Sequence, residues 1–300
     1  MTEFFEILKA ILFGIVEGIT EWLPVSSTGH IILLDEFVRL NVAPGLGTSF
    51  AEEYMSMFEV VIQLGAILAV VVLFFNKLNP FAKSKGEAER RETWVLWLKV
   101  VVASVPAAIV GLVLDKVIEI ITGRDIDGWL YNFITVAIML ILYGALFIIV
   151  EIWQKKKEPR VSATDGITYT QALLMGCFQV LAIIPGTSRS GSTILGARTI
   201  GISRPAAAEF SFFMGIPEML GASLLKSLGF FSFVIEEGIA VPALAWVVLA
   251  VATAVSFGTS LVAIKFLMNF VKNHDFKVFG IYRITLGAVL IVYFLIKTFA

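Results

Sequence analysis

The 300-residue chain contains few charges, two histidines and a single cysteine, and each scarcity excludes a class of protein. Charged residues are 16% of the chain and hydrophobic residues 58%, a balance that excludes a soluble globular domain. The net charge of −1 gives no basic surface for a nucleic acid, so no nucleic-acid partner is expected. Because Cys177 is the only cysteine, an internal disulfide is excluded. The composition, with a mean hydropathy of +0.90, predicts a polytopic α-helical membrane protein.

Six apolar stretches are long enough to cross a bilayer, which takes about 20 helical residues. They are roughly 54–75, 94–115, 131–150, 207–228, 241–264 and 278–298. Two further apolar segments, 4–38 and 170–202, are interrupted by proline and polar residues. Non-helical backbone at membrane depth is tolerated only inside protein or beside a cavity, so each predicts a re-entrant helical hairpin. The predicted fold is an all-α polytopic membrane protein with six transmembrane helices and two re-entrant helical hairpins.

The two hairpins resemble each other in sequence. Displacing the chain by 162 positions aligns 10–33 with 172–195 and gives seven identities in 24 positions. The identities at the polar tips are Ser26 with Ser188 and Gly29 with Gly191. Three spans separate the hairpins, and an odd number inverts the second copy, as in many transporters whose sites lie where broken helices meet. The sequence therefore predicts an inverted-topology repeat with the two tips facing each other.

The repeat divides a single integral membrane domain into a first repeat at 1–153, a cytoplasmic linker at 154–168 and a second repeat at 169–300. Lysine and arginine orient it, because cytoplasmic loops are enriched in both. Segments 76–93 and 151–169 carry five and four of them, which places both segments in the cytoplasm. The first hairpin is then expected to open to the outside and the second to the cytoplasm.

The tip of the second hairpin, Pro185-Gly-Thr-Ser-Arg-Ser-Gly-Ser-Thr193, places an arginine between two apolar segments. An arginine within a membrane segment is costly and usually faces a functional cavity. It can also grip two phosphate oxygens at once, and the N–H groups of the following helix favour an anion. We predict a phosphate site formed by Gly186, Thr187, Ser188, Arg189, Ser190 and Thr193.

The tip of the first hairpin carries groups suited to acid–base chemistry. Glu17 and Glu21 are four residues apart, so a helix places both carboxylates on one face. Three hydroxyls and an imidazole follow within a few residues, on Ser26, Ser27, Thr28 and His30. These residues are the predicted catalytic and substrate-binding groups of the first tip.

Both tips resemble the bacterial undecaprenyl-pyrophosphate phosphatases of the bacitracin-resistance type. Glu17-Gly-Ile-Thr-Glu21-Trp-Leu-Pro-Val-Ser-Ser-Thr-Gly-His30 looks like the family's Glu-x-x-x-Glu motif with its trailing Ser-Ser-Thr-Gly-His. Pro185-Gly-Thr-Ser-Arg-Ser-Gly-Ser-Thr193 looks like its Pro-Gly-x-Ser-Arg-Ser-x-x-Thr motif. The similarity extends through nearly the whole chain, including positions 61–65 and 209–212.

The resemblance implies an enzyme that hydrolyses undecaprenyl diphosphate to undecaprenyl phosphate and inorganic phosphate. The product is the carrier lipid for peptidoglycan synthesis, and resistance to bacitracin, which sequesters the diphosphate, would follow. The resemblance also implies a multi-pass protein of the bacterial cytoplasmic membrane with its site on the outer side. A divalent cation and a homodimer are expected on the same basis.

The sequence leaves the mechanism open between two routes. In one, Ser27 is the nucleophile and His30 the general base, although Ser26 could replace Ser27. In the other, water activated by Glu21 or His30 attacks directly. Glu17 and Glu21 either hold the cation, Mg²⁺ or Ca²⁺, or orient His30. In both routes the arginine of the second tip stabilises the phosphoryl oxygens.

The inverted repeat by itself also favours an alternative function, a transporter of an anionic lipid or a small anion. Lipid phosphatases of the acid-phosphatase type use Ser-Gly-His and Ser-Arg elements too, but they need a second histidine. Positions 190–273 contain no histidine, which excludes that family.

Overall fold

The computed structural model describes residues 2–122 and 133–299, which are predominantly helical with no β-strand among them. The helices are α1 (Thr2–Thr20), α2 (Ser27–Phe37), α3 (Gly47–Val61), α4 (Gln63–Leu73), α5 (Phe75–Leu78), α6 (Glu87–Thr122), α7 (Phe133–Gln154), α8 (Tyr169–Val180), α9 (Arg189–Thr199), α10 (Arg204–Glu236), α11 (Ala243–Asn273) and α12 (Lys277–Phe299). The chain is therefore all-α, as predicted.

Six helical stretches of the described chain are long and apolar enough to span a membrane, which confirms the six predicted spans. They are Gly47–Leu73, Glu87–Val113, Phe133–Gln154, Arg204–Glu236, Ala243–Asn273 and Lys277–Lys297. The third predicted span begins at position 131, and its first two positions lie outside the described residues. Polar turns extend several helices past their apolar stretches. α6 begins at Glu87, where acidic side chains in the first turn favour the helix dipole.

Each predicted hairpin is a pair of helices separated by a short break. α2 and α9 have 11 residues each, so each is about 16 Å long, roughly half the thickness of the hydrocarbon core. Three of the six spans lie between the two pairs in the chain. This order is consistent with two re-entrant hairpins in an inverted repeat, and their depth in a bilayer stays a prediction.

The described residues divide into two compact units, each drawn from both halves of the chain. The first takes those within Met1–Trp22, His30–Phe75 and Gly215–Lys265, and the second those within Leu23–Gly29, Asn76–Met214 and Phe266–Ala300. This division rests on contacts, whereas the boundaries of the repeats and of the linker rest on sequence similarity. Those boundaries therefore stay a prediction.

In the first unit, α1 packs closely on α11 through small residues. A Cβ added at Gly18 would lie 2.0 Å from Thr259 Oγ1, and one at Gly14 would lie 2.5 Å from Ala252 O. Ser260 Oγ donates to Gly18 O at 3.1 Å. Such small-residue contacts are typical of membrane helices that approach with their backbones. They fix the end of α1 that carries Glu17 and Glu21.

In the second unit, α7 and α12 make an equally close contact. A Cβ at Gly144 would lie 2.6 Å from Gly280 O, and one at Gly287 would lie 2.8 Å from Ala137 O. α8 approaches α6 as closely, since a Cβ at Gly176 would lie 2.1 Å from a backbone oxygen of α6. These contacts give the second tip a rigid frame.

Candidate active site

Two serines at the hairpin tips share a backbone conformation that L-residues rarely adopt. Ser26 has a φ of +77° and Ser188 a φ of +71°, and glycine is the only other residue type with positive φ in the described chain. Such strain costs about 1–3 kcal/mol and is concentrated at functional sites. Ser26 and Ser188 are also paired by the 162-position alignment, so the sequence repeat extends to the backbone of the tips.

Each of these serines caps the helix that follows it. Ser26 Oγ accepts the Gly29 N–H at 3.3 Å, and Ser188 Oγ accepts the Gly191 N–H at 3.1 Å. α2 and α9 therefore begin at the tips, where the N–H groups and dipole of a first helical turn favour an anion.

A tight turn leads into the second cap. Thr187 N–H donates to Ile184 O at 3.1 Å, and Gly186 has a φ of +89°. With Pro185 before that glycine, this is the pattern of a type II turn. A Cβ at Gly186 would also lie 2.6 Å from Val136 O. Gly186 is required here both by its conformation and by the lack of space.

The hydroxyl groups of the second tip differ in what they contact. Thr187 is fully buried, and its Oγ1 has no hydrogen-bond partner among the described residues. The Ser188 and Ser190 hydroxyls lie 3.3 Å apart. Thr193 Oγ1 lies 2.5 Å from Ser211 Oγ, so it joins α9 to α10. Thr193 therefore serves packing inside the protein, and its predicted contact with phosphate stays a prediction.

Arg189 is the first residue of α9, and this helix is fixed at both ends. Arg189 Nη1 donates to Ser211 O at 2.9 Å. At the far end, Arg198 Nε lies 3.1 Å from Glu151 Oε1, and Gln154 Nε2 donates to Arg198 O at 2.9 Å. Because α9 is held at both ends, the guanidinium of Arg189 is oriented before a ligand arrives.

The structure brings the two tips into contact within the second unit. Ser190 Oγ donates to Leu23 O at 3.5 Å. Arg283 reaches both tips, because Nη1 donates to Pro24 O at 3.2 Å and Nη2 to Gly186 O at 2.6 Å. The backbones of the two tips therefore lie next to each other, as the sequence predicts.

Arg283 is the main site residue that the sequence analysis misses. It lies in α12, and it is fully buried. The available signal is an arginine inside an apolar span, since intramembrane charges are rare and usually functional. Ser211, which contacts both Arg189 and Thr193, is missed as well. A lone serine in an apolar helix carries no comparable signal.

The acidic pair lies in the first unit, at the C-terminal end of α1. Glu21 N–H donates to Glu17 O at 2.9 Å, so the backbone keeps helical spacing between them. The side chains are only 1% and 5% exposed. The pair is thus nearly buried, and Glu21 follows the last residue of α1 with the helical hydrogen bond to Glu17 kept.

The remaining predicted residues of the first tip follow each other along α2. Ser27, the first residue of the helix, is buried, and Thr28 comes next; both belong to the second unit. His30 is half-buried and belongs to the first unit. How Glu21, His30 and Ser27 are arranged around a phosphate stays a prediction.

The acidic pair is also the candidate cation site. In the part of the chain that the structure describes, no three or more His, Cys, Asp and Glu side chains form a metal-binding group. Mg²⁺, however, is commonly held by one or two carboxylates together with substrate phosphates and water. Glu17 and Glu21 supply that kind of hard-oxygen donor set, so they fit a cation that the substrate helps to bind.

Comparison with known proteins identifies the family. The model of a family described as bacitracin resistance protein BacA matches residues 10–289. The chain belongs to this family. A relative from Enterococcus faecalis is 51% identical over 292 residues, covering 97% of this chain and 99% of the relative. Relatives from Acetivibrio thermocellus and Streptococcus mutans are each 51% identical, over 97% and 98% of this chain and 98% of each relative. All three bear the name undecaprenyl-diphosphatase.

Proposed function

We propose that this chain hydrolyses undecaprenyl diphosphate to undecaprenyl phosphate and inorganic phosphate. The observation that carries the proposal is the contact between two capped, strained serine tips, one of which presents Arg189. The names of its relatives support the same substrate. Recycling of the carrier lipid for peptidoglycan synthesis, and resistance to bacitracin, follow from this activity.

The second tip binds the diphosphate. Arg189 and the first turn of α9 supply positive charge, and the Thr187 hydroxyl supplies a buried donor. Phosphoryl transfer needs little from a protein beyond positioning and electrostatic stabilisation of the equatorial oxygens. Donors fixed before the reaction act without reorganisation, so the anchored α9 suits this role.

The first tip performs the attack. Ser26 Oγ is engaged as a helix cap, whereas Ser27 is the first residue of α2, which favours Ser27 over Ser26 as the nucleophile. Ser27 Oγ attacks the terminal phosphorus, its proton passes to His30, and undecaprenyl phosphate leaves. His30 gives that proton to the departing undecaprenyl phosphate. It then takes a proton from the water that hydrolyses the phosphoserine and returns it to Ser27 Oγ as inorganic phosphate leaves. Direct attack by water, activated by Glu21 or His30, is the competing route.

Glu17 and Glu21 hold a divalent cation together with the diphosphate, and the cation would neutralise phosphate charge when bound. Their two carboxylates suit Mg²⁺, which keeps water and phosphate ligands, better than Ca²⁺, which takes six to eight oxygens. Orientation of His30 by Glu21 is the alternative role.

Release of phosphate from purified protein tests the function directly. Farnesyl diphosphate and undecaprenyl diphosphate would be compared as substrates, with and without a chelator. We expect release from both, with the longer lipid preferred, and loss of release with chelator.

The inverted repeat favours one other function, transport of an anionic lipid or small anion. Counter-flow in liposomes without any hydrolysis would support transport and contradict the proposal.

We further propose that the chain lies in the bacterial cytoplasmic membrane with its site on the outer side, as a homodimer. The loop charges support this orientation. After Cys177→Ala, an impermeant thiol reagent should label Asn41→Cys in intact cells but label Ser84→Cys only after permeabilisation. Both positions are exposed. The reverse labelling would place the first tip towards the cytoplasm.

A further inference from the structure

Arg283 contacts equivalent positions of the two repeats. Its Nη1 donates to Pro24 O at 3.2 Å and its Nη2 to Gly186 O at 2.6 Å. Pro24 and Gly186 are 162 positions apart, the same displacement that pairs Ser26 with Ser188. Both carbonyls therefore belong to the residue two positions before a strained serine cap.

We infer that Arg283 is a positioning residue, which sets the separation of the two tips and so aligns the nucleophile with the phosphate-binding arginine. The inference rests on the proposed function for its catalytic consequence. The residues immediately after the caps are Ser27 and Arg189, which the alignment also pairs. A clamp on Pro24 and Gly186 therefore controls the distance between these two groups.

Arginine suits this clamp because its guanidinium is a planar fork with two terminal nitrogens. Besides Gly186 O, Nη2 donates to Thr187 O at 3.0 Å and to Met139 O at 3.4 Å. The fork therefore joins the first tip, the second tip and α7. A lysine ammonium is a single point charge without two separate terminal nitrogens, so it does not reproduce this geometry.

The environment of Arg283 also indicates a specific role. The residue is fully buried, and a buried cation is costly unless it is hydrogen-bonded. Both terminal nitrogens donate to backbone carbonyls, whereas Nε has no hydrogen-bond partner among the described residues. A Cβ at Gly191 would lie 3.3 Å from Nη1, so the guanidinium lies directly beside the start of α9. Its carbon also lies 5.6 Å from the centre of the Tyr143 ring. An apolar side chain would fill this space without joining the tips.

Kinetics of the purified full-length chain give the first test, with Arg283→Lys as the variant. We expect kcat for undecaprenyl diphosphate to fall at least tenfold while KM changes less than threefold, because alignment matters most in the transition state. Arg160→Lys is the control, since Arg160 lies at an exposed position of the same unit and belongs to neither tip. It should keep kcat within about twofold.

A cross-linking measurement tests the tip separation without using activity. In a Cys177→Ala background, Leu23→Cys and Ser190→Cys place one thiol on each of the two residues that are in contact through the Ser190 hydroxyl and the Leu23 backbone oxygen. A short bifunctional thiol reagent should cross-link them readily with Arg283 present and at least fivefold more slowly with Arg283→Lys or Arg283→Met. Arg160→Lys should leave the rate unchanged.

The outcomes separate the clamp from the enzyme activity. Unchanged cross-linking and unchanged kcat in a folded Arg283→Lys protein would overturn the positioning role. If both Arg283 variants unfold in detergent while Arg160→Lys stays folded, Arg283 serves stability alone and the inference is again overturned. Absence of hydrolysis by the unmodified protein would contradict the proposed function, and the cross-linking rates would still decide the clamp.

Discussion

The two tips have the same backbone and opposite chemistry. Both have a serine at positive φ that caps the next helix through a glycine N–H. At the next position the first tip has Ser27 and the second has Arg189. Earlier in each hairpin, Glu17 of the first copy is matched by the neutral Gln179 of the second. The repeat thus supplies one conformation twice, and the substitutions fit the proposed division between acid–base chemistry at the first tip and phosphate binding at the second.

The surroundings of Gln179 bear on this difference between the two copies of the repeat. It is almost fully buried, and neither its Nε2 nor its Oε1 has a hydrogen-bond partner among the described residues. Buried amides are usually satisfied, so we expect this amide to contact a water or a ligand group. A carboxylate there would add negative charge to the copy that is proposed to bind phosphate. The difference between Glu17 and Gln179 therefore follows the division of charge between the tips.

The largest effect is expected at the first tip. Ser27→Ala and His30→Ala should each lower kcat at least a hundredfold, equivalent to about 2.7 kcal/mol of barrier. If both belong to one catalytic unit, the double variant should be scarcely worse than either single one. His274→Ala is the control for His30, because the contacts of His274 are with Phe270: the ring centres lie 4.5 Å apart, and Nδ1 lies 3.3 Å from Phe270 O.

Phosphate-release rates for the two singles and the double decide between the routes. If water attacks directly, Ser27 only positions phosphate, and its loss should be milder than that of His30. Substantial activity in His30→Ala would contradict both routes that use His30 and leave Glu21 as the remaining base.

Arg189→Lys tests the second tip and should have the next largest effect. Lysine keeps the charge but loses the two-pronged grip, so kcat/KM should fall at least tenfold, about 1.4 kcal/mol. Arg160→Lys, at an exposed position of the same unit, is the control and should be silent. Normal hydrolysis by a folded Arg189→Lys protein would show that the arginine does not bind phosphate.

Glu17→Gln makes the first copy resemble the second at this position. Because one carboxylate of the proposed cation site is lost, we expect activity at low Mg²⁺ to fall about fivefold, roughly 1 kcal/mol. Added Mg²⁺ should restore part of it. Glu6→Gln is the matched control, since Glu6 is a buried carboxylate of α1 that pairs with Lys9 at 2.7 Å. An activity loss that Mg²⁺ does not change would favour the orienting role instead.

The sequence predicts the six spans and both tips because their signals are local. Long apolar stretches, the Pro185-Gly186 turn and the serine caps depend on neighbouring residues only. Arg283 and Ser211 are not predicted, since their partners are backbone carbonyls and hydroxyls far away in the chain. A backbone carbonyl is present at every residue, so the sequence cannot indicate which one a buried arginine contacts.

The smallest effect is a stability difference that tests the shared backbone. At Ser188, alanine should lower stability by about 1 kcal/mol, because it loses the cap and keeps an unfavourable positive φ. Glycine adopts that φ freely and is nearly as good a cap, so Ser188→Gly should cost only a few tenths. The same order, serine then glycine then alanine, is expected at Ser26, which has the same φ and cap. Thermal unfolding of the four variants in detergent provides the measurement. If alanine is tolerated at one tip and not at the other, the two tips do not share the strained conformation, and the comparison between them fails.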